Sequence, residues 1–279
     1  MISDYKLSAF SDEYSDSLVE QCEVLSRLGI GSMEMRGVNG KNVSVLTKSE
    51  VASAKKILSD FGISVSAIGS PIGKVVLGEK LDEHTEMAKR VFDTALELGA
   101  KNIRVFSFYP PKGKAPDDVR PEVFDELSRL LDIADSFGVT LCHENEANIF
   151  GESPARCLEL ARVFSGRLKL VFDMGNFVLD GYEPMGAYEL LRDYIEYFHI
   201  KDALYAGAIV PAGLGEAKIA EIISRHRTLN AAVGITLEPH LETFSGLNAL
   251  VGKKFENTYK YENQKAAFID AFEHLRSIL

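Results

Sequence analysis

The chain has few cysteines and no hydrophobic run of membrane length. Its 279 residues include three cysteines, Cys22, Cys142 and Cys157, whose number and spacing fit neither a disulfide framework nor a zinc knuckle. Mean hydropathy is −0.02, and no segment approaches the roughly 20 apolar residues of a membrane span. The opening residues MISDYKLSAFSDE lack the basic and apolar regions of a signal peptide. We therefore predict buried free thiols and a cytoplasmic protein.

Basic residues are also in deficit. The chain has 31 Lys and Arg against 41 Asp and Glu, which gives a formal net charge of −10 and a pI of about 5.2. A negative field repels phosphate backbones and anionic membrane surfaces. The composition therefore disfavours nucleic acid and membranes as partners.

No Pro/Gly/Ser-rich linker or shift in composition divides the chain. Short β-rich runs instead alternate with longer amphipathic runs. The predicted strands cover 6–10, 32–36, 64–68, 102–106, 140–144, 169–173, 197–201 and 234–238. The predicted helices cover 15–28, 48–61, 83–98, 121–137, 154–164, 185–194, 217–226 and 263–279. Such alternation predicts an α/β fold with a parallel sheet, and eight units suit a (β/α)8 TIM barrel, although an open doubly wound sheet alternates similarly. We predict a single TIM-barrel domain over residues 1–279.

Ionisable residues close the last four predicted strands. They are Glu144 in CHENE, Asp173 in VFDMGN, His199 in FHIKD and Glu238 in TLEPH. Because strand side chains alternate between faces, the apolar parity should pack on the helices. The four ionisable side chains should then point into the C-terminal mouth, where TIM barrels hold their active sites. Three clustered carboxylates need a counter-charge, so we predict one divalent metal ion, with Mn²⁺ or Mg²⁺ favoured over Co²⁺ or Zn²⁺. The alternative is four unrelated polar residues with local ion pairs.

At these residues the chain resembles the xylose-isomerase-like (AP endonuclease 2 type) superfamily of TIM-barrel sugar isomerases and epimerases. The motifs are Glu144-Asn145, Asp173, His199-Ile200-Lys201-Asp202 and Glu238, with the opening AFSDEYSDSLVEQCEVLSRLGIGSMEMR and the segment AIGSPIGK. The resemblance implies that Glu144, Asp173, His199 and Glu238 ligate the metal. It also implies that Glu144 and Glu238 are catalytic and carry protons. The implied enzyme is a metal-dependent sugar or sugar-phosphate isomerase or epimerase that works through a cis-enediolate.

Two positions depart from the family pattern. Epimerases of the family often have a substrate-holding histidine three residues after the Asp of strand six, where this chain has Asn176. Relatives often have histidine after the Glu-Asn pair, where this chain has Glu146. Both differences bear on which sugar the site accepts.

Seven residues near strand ends are candidates for substrate binding: Glu34, Arg36, Ser70, Arg104, Asn176, Lys201 and His240. Arg36 and Arg104 are suited to bind hydroxyls or a phosphate, and Lys201 is suited to bind an oxyanion. The structural alternative is ion pairing, of Arg36 with Glu34 or of Lys201 with Asp202.

Two histidines near the glutamates need separate interpretation. His240, two residues beyond Glu238, either supports the site from behind or is a solvated loop histidine. His143 has the opposite strand parity to Glu144 and should pack against a helix.

Two connections are long for loops, 207–216 and 239–262, and long loops are often lids or binding loops. The segment PAGLGE at 211–216 is interpreted as a substrate loop or as a plain helix-entry turn. Lys253, Lys254 and Phe255 in the second loop are candidates to cap the mouth or to contact a partner subunit, which leaves a homo-oligomer open.

Three other functions compete with the isomerase or epimerase. An inosose-type dehydratase would use the same site. An abasic-site endonuclease would need several more histidines for a trinuclear zinc centre. A non-catalytic sugar-binding barrel would not be expected to keep both Glu144 and Glu238. A small sugar or polyol therefore remains the expected partner.

Overall fold

Eight short strands pair in parallel around one axis. They are β1 Lys6–Ala9, β2 Ser32–Met35, β3 Ser64–Gly69, β4 Asn102–Val105, β5 Thr140–Glu144, β6 Leu168–Asp173, β7 Ile195–Ile200 and β8 Gly234–Leu237. The computed structural model describes residues 5–229, 233–242, 256, 257 and 259–279. Around the sheet the strand order is β1-β8-β7-β6-β5-β4-β3-β2. Ser32 Oγ donates to the carbonyl of Leu7 across 3.0 Å, which links the two end strands. The nearly closed barrel confirms the predicted TIM-barrel fold.

Helices surround the strands. They are α1 Leu18–Leu28, α2 Lys48–Phe61, α3 Leu81–Leu98, α4 Arg120–Phe137, α5 Pro154–Val163, α6 Met174–Leu179, α7 Pro184–Leu191, α8 Ile219–Leu229 and α9 Gln264–Ile278. Helix α2 shows which residues begin and end a helix. Thr47 and Glu50 form a capping box at its start, and Gly62 ends it with a φ of 66°, a left-handed conformation that glycine adopts without strain.

The two faces of the barrel strands differ as strand parity predicts. Leu141, Phe172 and Leu237 face outward and belong to the large core between strands and helices. A separate buried cluster of Ala67, Cys142, Val171 and Tyr197 fills the barrel interior. Residues that share the interior parity therefore continue toward the mouth, where the ionisable groups lie.

His143 lies on the helix-facing side, as predicted. Its Nε2 lies 2.9 Å from the Oγ of Ser107, and the Cβ that Gly151 lacks would meet the imidazole at 2.3 Å. Burial lowers the pKa of His143 to about 4. This histidine is thus a neutral packing residue.

Several small elements were not predicted. A two-stranded hairpin, Gly37–Val38 with Lys41–Asn42, follows β2. A three-stranded sheet joins Asp202–Ala203, Ala208–Val210 and Glu256–Asn257 beyond the barrel. Helix α6 begins directly after Asp173. The small sheets and this six-residue helix are too short to give a periodic hydrophobic signal in the sequence.

The predicted bounds of strands are within two residues of those observed, and those of helices within three. Helix α1 begins later than predicted because Ser15 Oγ donates to Glu20 and accepts from the backbone N–H of Ser17. Helix α8 begins after Lys218, whose φ is 54°, so it cannot include Ala217.

The three cysteines are buried free thiols, as predicted. Among the residues that the structure describes, none of the helices combines the length and apolarity needed to cross a bilayer. The predicted capping residues Lys253, Lys254 and Phe255 lie outside the described residues.

Candidate active site

Four ionisable side chains converge at the C-terminal mouth of the barrel. Glu144 ends β5, Asp173 ends β6, His199 lies near the end of β7, and Glu238 follows β8. The register of the sheet places Asp173 beside His199, and His199 beside Thr236 of β8. One donor atom from each of the four residues lies within 4.8 Å of the others, and all four side chains are buried. The predicted cluster therefore exists.

The imidazole of His199 faces carboxylates on both edges. Its Nδ1 lies 2.9 Å from Oε1 of Glu144 and 3.0 Å from Oε2 of Glu238, and its Nε2 lies 3.0 Å from Oε2 of Glu34. One N–H at Nδ1 serves only one of its two oxygens, and Oε2 of Glu238 accepts no hydrogen bond from the described residues. Burial lowers the pKa of His199, but the three carboxylates together raise it well above its ordinary value.

This arrangement fits a divalent cation. Three carboxylates and an imidazole are the donor set that Mn²⁺ and Mg²⁺ accept, with Zn²⁺ and Co²⁺ as alternatives. A cation facing Nδ1 of His199 would serve both glutamates at once, which a single proton does not. Glu144, Asp173, His199 and Glu238 are thus the residues that could hold a metal ion.

Arg104 connects the two glutamates. Its Nη1 lies 3.3 Å from Oε2 of Glu144 and 3.7 Å from Oε1 of Glu238. Its guanidinium lies over the rings of Phe10 and Phe106, with Cζ 5.1 and 4.9 Å from their centroids. Burial raises the pKa of Glu144, but His199 and Arg104 outweigh it and bring that pKa down to about 2. Glu144 is therefore ionised at neutral pH.

Lys201 forms an ion pair inside the mouth, as the structural alternative predicts, but its partner is Asp173 and not Asp202. Its Nζ lies 2.8 Å from Oδ2 of Asp173 and 3.5 Å from Oε2 of Glu238. It also donates to Oδ1 of Asn176 across 3.1 Å. The Asp202 carboxylate is unavailable because it accepts from backbone N–H groups of the PAGLGE turn. That segment is a helix-entry turn held by Asp202.

Asn176 is held by protein atoms on three sides. Its backbone N–H donates to Oδ1 of Asp173, its Nδ2 donates to the carbonyl of Asn145, and its Oδ1 accepts from Lys201. The turn also requires Gly175, since a Cβ there would lie 2.7 Å from the carbonyl oxygen of Lys201. Asn176 thus lies at the site, where it braces Asp173 and Lys201.

Arg36 also has other partners than predicted. Its guanidinium binds Asp12 through Nε (2.8 Å) and Nη2 (3.0 Å), Glu13 at 3.1 Å and Glu238 at 3.0 Å. Glu34 instead accepts from Tyr197 Oη and faces His199.

Asp12 and Glu13 lie in a 3-10 turn, Ser11–Glu13, just beyond the end of β1. Sequence reasoning missed both carboxylates, although their place directly after a predicted strand was the available signal.

His240 is buried against the glutamates, so the solvated alternative was wrong. Its Nε2 lies 3.3 Å from Oε1 of Glu238 and 3.4 Å from Oε1 of Glu13, and its backbone N–H donates to Oε2 of Glu13. Burial lowers its pKa to about 3. A neutral imidazole therefore backs Glu238 on the side away from His199.

Ser70 orients Arg104. Its Oγ donates to the carbonyl of Arg104 across 2.5 Å, and its own carbonyl accepts from Nη2 of Arg104 across 3.4 Å. Ser70 thus makes its hydrogen bonds with the protein itself. The structure brings all the predicted site residues to the same mouth of the barrel.

The rim of the mouth carries a further ion pair. Nζ of Lys74 lies 3.0 Å from Oε2 of Glu146 and 4.3 Å from the centroid of the Phe106 ring. Glu146 is the residue that departs from the family pattern after Glu144-Asn145. A carboxylate paired with a lysine therefore occupies the position for which the resemblance leads one to expect histidine.

A family model described as a xylose isomerase-like TIM barrel matches residues 22–277. The chain belongs to the xylose isomerase-like TIM barrel family. No curated protein matches it in sequence.

Solved structures resemble the chain over nearly its whole length. The IOLI protein with a binding zinc atom is 15% identical with a TM-score of 0.77, over 98% of this chain and 97% of that chain. A 3-keto-D-glucoside 4-epimerase from E. coli is 16% identical with a TM-score of 0.72, over 98% and 99%. The probable 3-DHS dehydratase AsbF from Bacillus anthracis is 17% identical with a TM-score of 0.72, over 98% of each chain. These likenesses establish the fold alone.

Proposed function

We propose that this protein is a divalent-metal-dependent sugar or sugar-phosphate isomerase or epimerase. The observation that carries the proposal is the buried cluster of Glu144, Asp173, His199 and Glu238, whose donor atoms lie within 4.8 Å of one another. The epimerase and dehydratase among the structural neighbours support a sugar-modifying reaction at such a mouth.

Glu144 and Glu238 are the proposed proton carriers. Both contact Nδ1 of His199 and Nη1 of Arg104, so the two carboxylates lie close together and face the same space. The pKa of Glu238, like that of Glu144, is held below its ordinary value, because Lys201 and His199 outweigh the effect of burial. Both carboxylates are then ionised at neutral pH and available as general bases.

A divalent cation held by the four residues would polarise the carbonyl of a bound sugar and acidify the adjacent C–H. One glutamate takes this proton from carbon. Return of a proton to the opposite face of the same carbon gives an epimer, and return to the neighbouring carbon gives an isomer. Loss of hydroxide from the deprotonated sugar instead would make the protein a dehydratase.

The endonuclease alternative finds little support in the cluster. A trinuclear zinc centre needs several histidines, whereas each group of metal-ligating side chains in the described part of the chain contains one histidine. A nuclease would also have to hold DNA against a net charge of −10.

The setting of the enzyme is part of the same proposal. We propose one domain over residues 1–279, a small sugar or polyol substrate, and no nucleic-acid or membrane partner. Three buried free thiols suit the reducing cytoplasm. A homo-oligomer is the remaining alternative to a monomer.

Metal content tests the first half of the proposal. Plasma mass spectrometry should find about one divalent ion per chain in the wild type and little in Asp173→Ala. Asp193→Ala is the matched control, since that side chain is 82% exposed and should leave the metal in place. A chain without metal after incubation with Mn²⁺ would overturn the proposal.

Proton exchange tests the second half. Ketoses incubated with the Mn²⁺-loaded enzyme in deuterated water should gain deuterium next to the carbonyl. Glu144→Gln and Glu238→Gln should each slow this exchange by about 100-fold or more. Wild-type rates in both variants would exclude the two glutamates as proton carriers.

A further inference from the structure

The charges around the proposed metal centre favour an uncharged ligand. Six carboxylates surround it in the described part of the chain: Asp12, Glu13, Glu34, Glu144, Asp173 and Glu238, all buried. The buried cations among them are Arg36, Arg104 and Lys201. Carboxylates thus exceed these cations by three, so even a divalent metal ion leaves no net positive charge among these groups for an anionic ligand.

Each of the three cations is already engaged by carboxylates. Arg36 contacts Asp12, Glu13 and Glu238, whereas Arg104 contacts the two glutamates of the centre. Lys201 contacts Asp173 and Glu238. Phosphate and carboxylate ligands are bound in proteins by cations that present unshared N–H groups to them. Here an anionic ligand would have to displace buried carboxylates from their partners.

Arg104 nevertheless offers one donor to a ligand. Its Nε is buried and makes no hydrogen bond to the described residues. The guanidinium is held over Phe10 and Phe106 and by the carbonyl of Ser70. The N–H of a guanidinium fixed beside these rings suits a carbonyl or hydroxyl oxygen, since a neutral acceptor satisfies it without adding charge.

We propose that the substrate is an uncharged polyhydroxy carbonyl compound, such as a free ketose, and is neither a sugar phosphate nor a sugar acid. The placement of the ligand rests on the proposed function. The rim adds to this, because Glu146 places a further carboxylate beside Lys74, whose Nζ lies over the Phe106 ring. An approaching phosphate therefore meets a neutralised lysine and no unpaired cation among these groups.

Equilibrium binding tests the proposal without relying on turnover. Calorimetry on the Mn²⁺-loaded protein would compare matched pairs: D-fructose with D-fructose 6-phosphate, and D-ribulose with D-ribulose 5-phosphate. The free ketoses should bind at least about tenfold more tightly than their phosphates. Tighter binding of the phosphates, or no binding of either class, would overturn the inference.

Exchange in deuterated water, measured on the same pairs, separates this inference from the proposed function. Binding of free ketoses without exchange would keep the inference and sink the isomerase or epimerase. Exchange that is faster for the phosphates would keep the isomerase or epimerase and overturn this inference.

A rim variant gives a second, positive test. Glu146→Gln removes one negative charge at the mouth and should tighten D-fructose 6-phosphate by about fivefold, with little effect on D-fructose. Glu86→Gln removes the same charge from an exposed site on α3, where Glu86 pairs with Lys89, and should change neither affinity. Equal effects of the two variants on the phosphate would contradict a role for the charge at the rim.

Discussion

Nε2 of His199 lies 3.0 Å from Oε2 of Glu34, on the edge of the imidazole opposite the proposed metal centre. Glu34 is fixed in turn, because Tyr197 donates to its Oε1 across 3.0 Å. An Nε2–H directed at Glu34 leaves Nδ1 as the nitrogen that can ligate a metal. Carboxylates that hold a metal-ligating histidine in this way set its tautomer and raise its basicity. Glu34, predicted to bind substrate, is therefore better explained as a positioning residue for His199.

Glu34→Gln should weaken Mn²⁺ binding by roughly 10–100-fold, because the amide can donate to Nε2 and favour the wrong tautomer. Calorimetric titration of the metal-free protein measures this change. Tyr197→Phe is the matched control, since it removes the other hydrogen bond to Glu34 and leaves the contact with His199. Its loss of affinity should be smaller. Wild-type affinity in Glu34→Gln would show that the contact does not position the ligand.

Metal affinity should depend on pH around neutrality. Burial raises the pKa of Asp173 to about 7, although Lys201 acts in the opposite direction. A carboxyl with a raised pKa holds its proton below that pH, and His199 holds one to higher pH still. Since both must lose a proton to ligate, Mn²⁺ binding should release protons and should weaken as pH falls, most steeply below about 7, where Asp173 also holds its proton.

Mn²⁺ titrations between about pH 5.5 and 8.5, in buffers of different ionisation enthalpy, measure both effects. Asp173→Asn is the control. It should bind more weakly at every pH and lose the step near 7. A pH dependence of affinity that is the same in Asp173→Asn as in the wild type would contradict the raised pKa of Asp173.

The metal cluster could be predicted because it depends on features that the sequence carries directly. Glu144 and Asp173 end strands whose lengths and parity are visible as alternating apolar residues. The closing of a parallel barrel then brings the ends of neighbouring strands together, which fixes their proximity without any knowledge of side-chain contacts.

Partners of the buried cations could not be predicted in the same way. The contact of Arg36 with Asp12 spans 24 residues, and its contact with Glu238 spans 202. Which carboxylates contact the guanidinium of Arg36 depends on how the turn after β1 orients the side chains of Asp12 and Glu13. A short 3-10 turn leaves no periodic pattern that would reveal this direction.

Arg36 should be needed for stability as well as for the site. Arg36→Met leaves Asp12 and Glu13 buried without this guanidinium and removes one of the cations beside Glu238. Breaking a buried ion pair by removing one partner costs about 3–5 kcal/mol.

Denaturant unfolding of the metal-free protein measures the loss. Arg167→Met is the matched control, because its exposed ion pairs with Asp132 and Asp135 should contribute only about 0–1 kcal/mol. Equal losses in the two variants would contradict the buried network.

Asp202 should anchor the turn that leads into α8. Its Oδ1 accepts from the backbone N–H groups of Ala203 and Ala217, at 2.9 and 3.0 Å. Its Oδ2 accepts from Gly213 and Gly215, at 2.8 and 3.0 Å. Asp202→Asn replaces one oxygen by an amide NH₂ that cannot accept, so at least one pair of donors loses its partner. Gly213 is exposed and Gly215 is half-buried, so water replaces much of what that pair loses, and the free energy of unfolding should fall by about 1 kcal/mol.

Hydrogen exchange shows where that loss arises. The amides of Gly213, Gly215 and Ala217 should exchange faster in Asp202→Asn, while those of β6 on the far side of β7 should keep their protection. Glu216→Gln is the control within the same turn, because its exposed carboxylate accepts only from the backbone of Tyr205 among the described contacts. Unchanged protection at Gly213 and Gly215 would mean that the turn is held by its packing, with no need for the four bonds to Asp202.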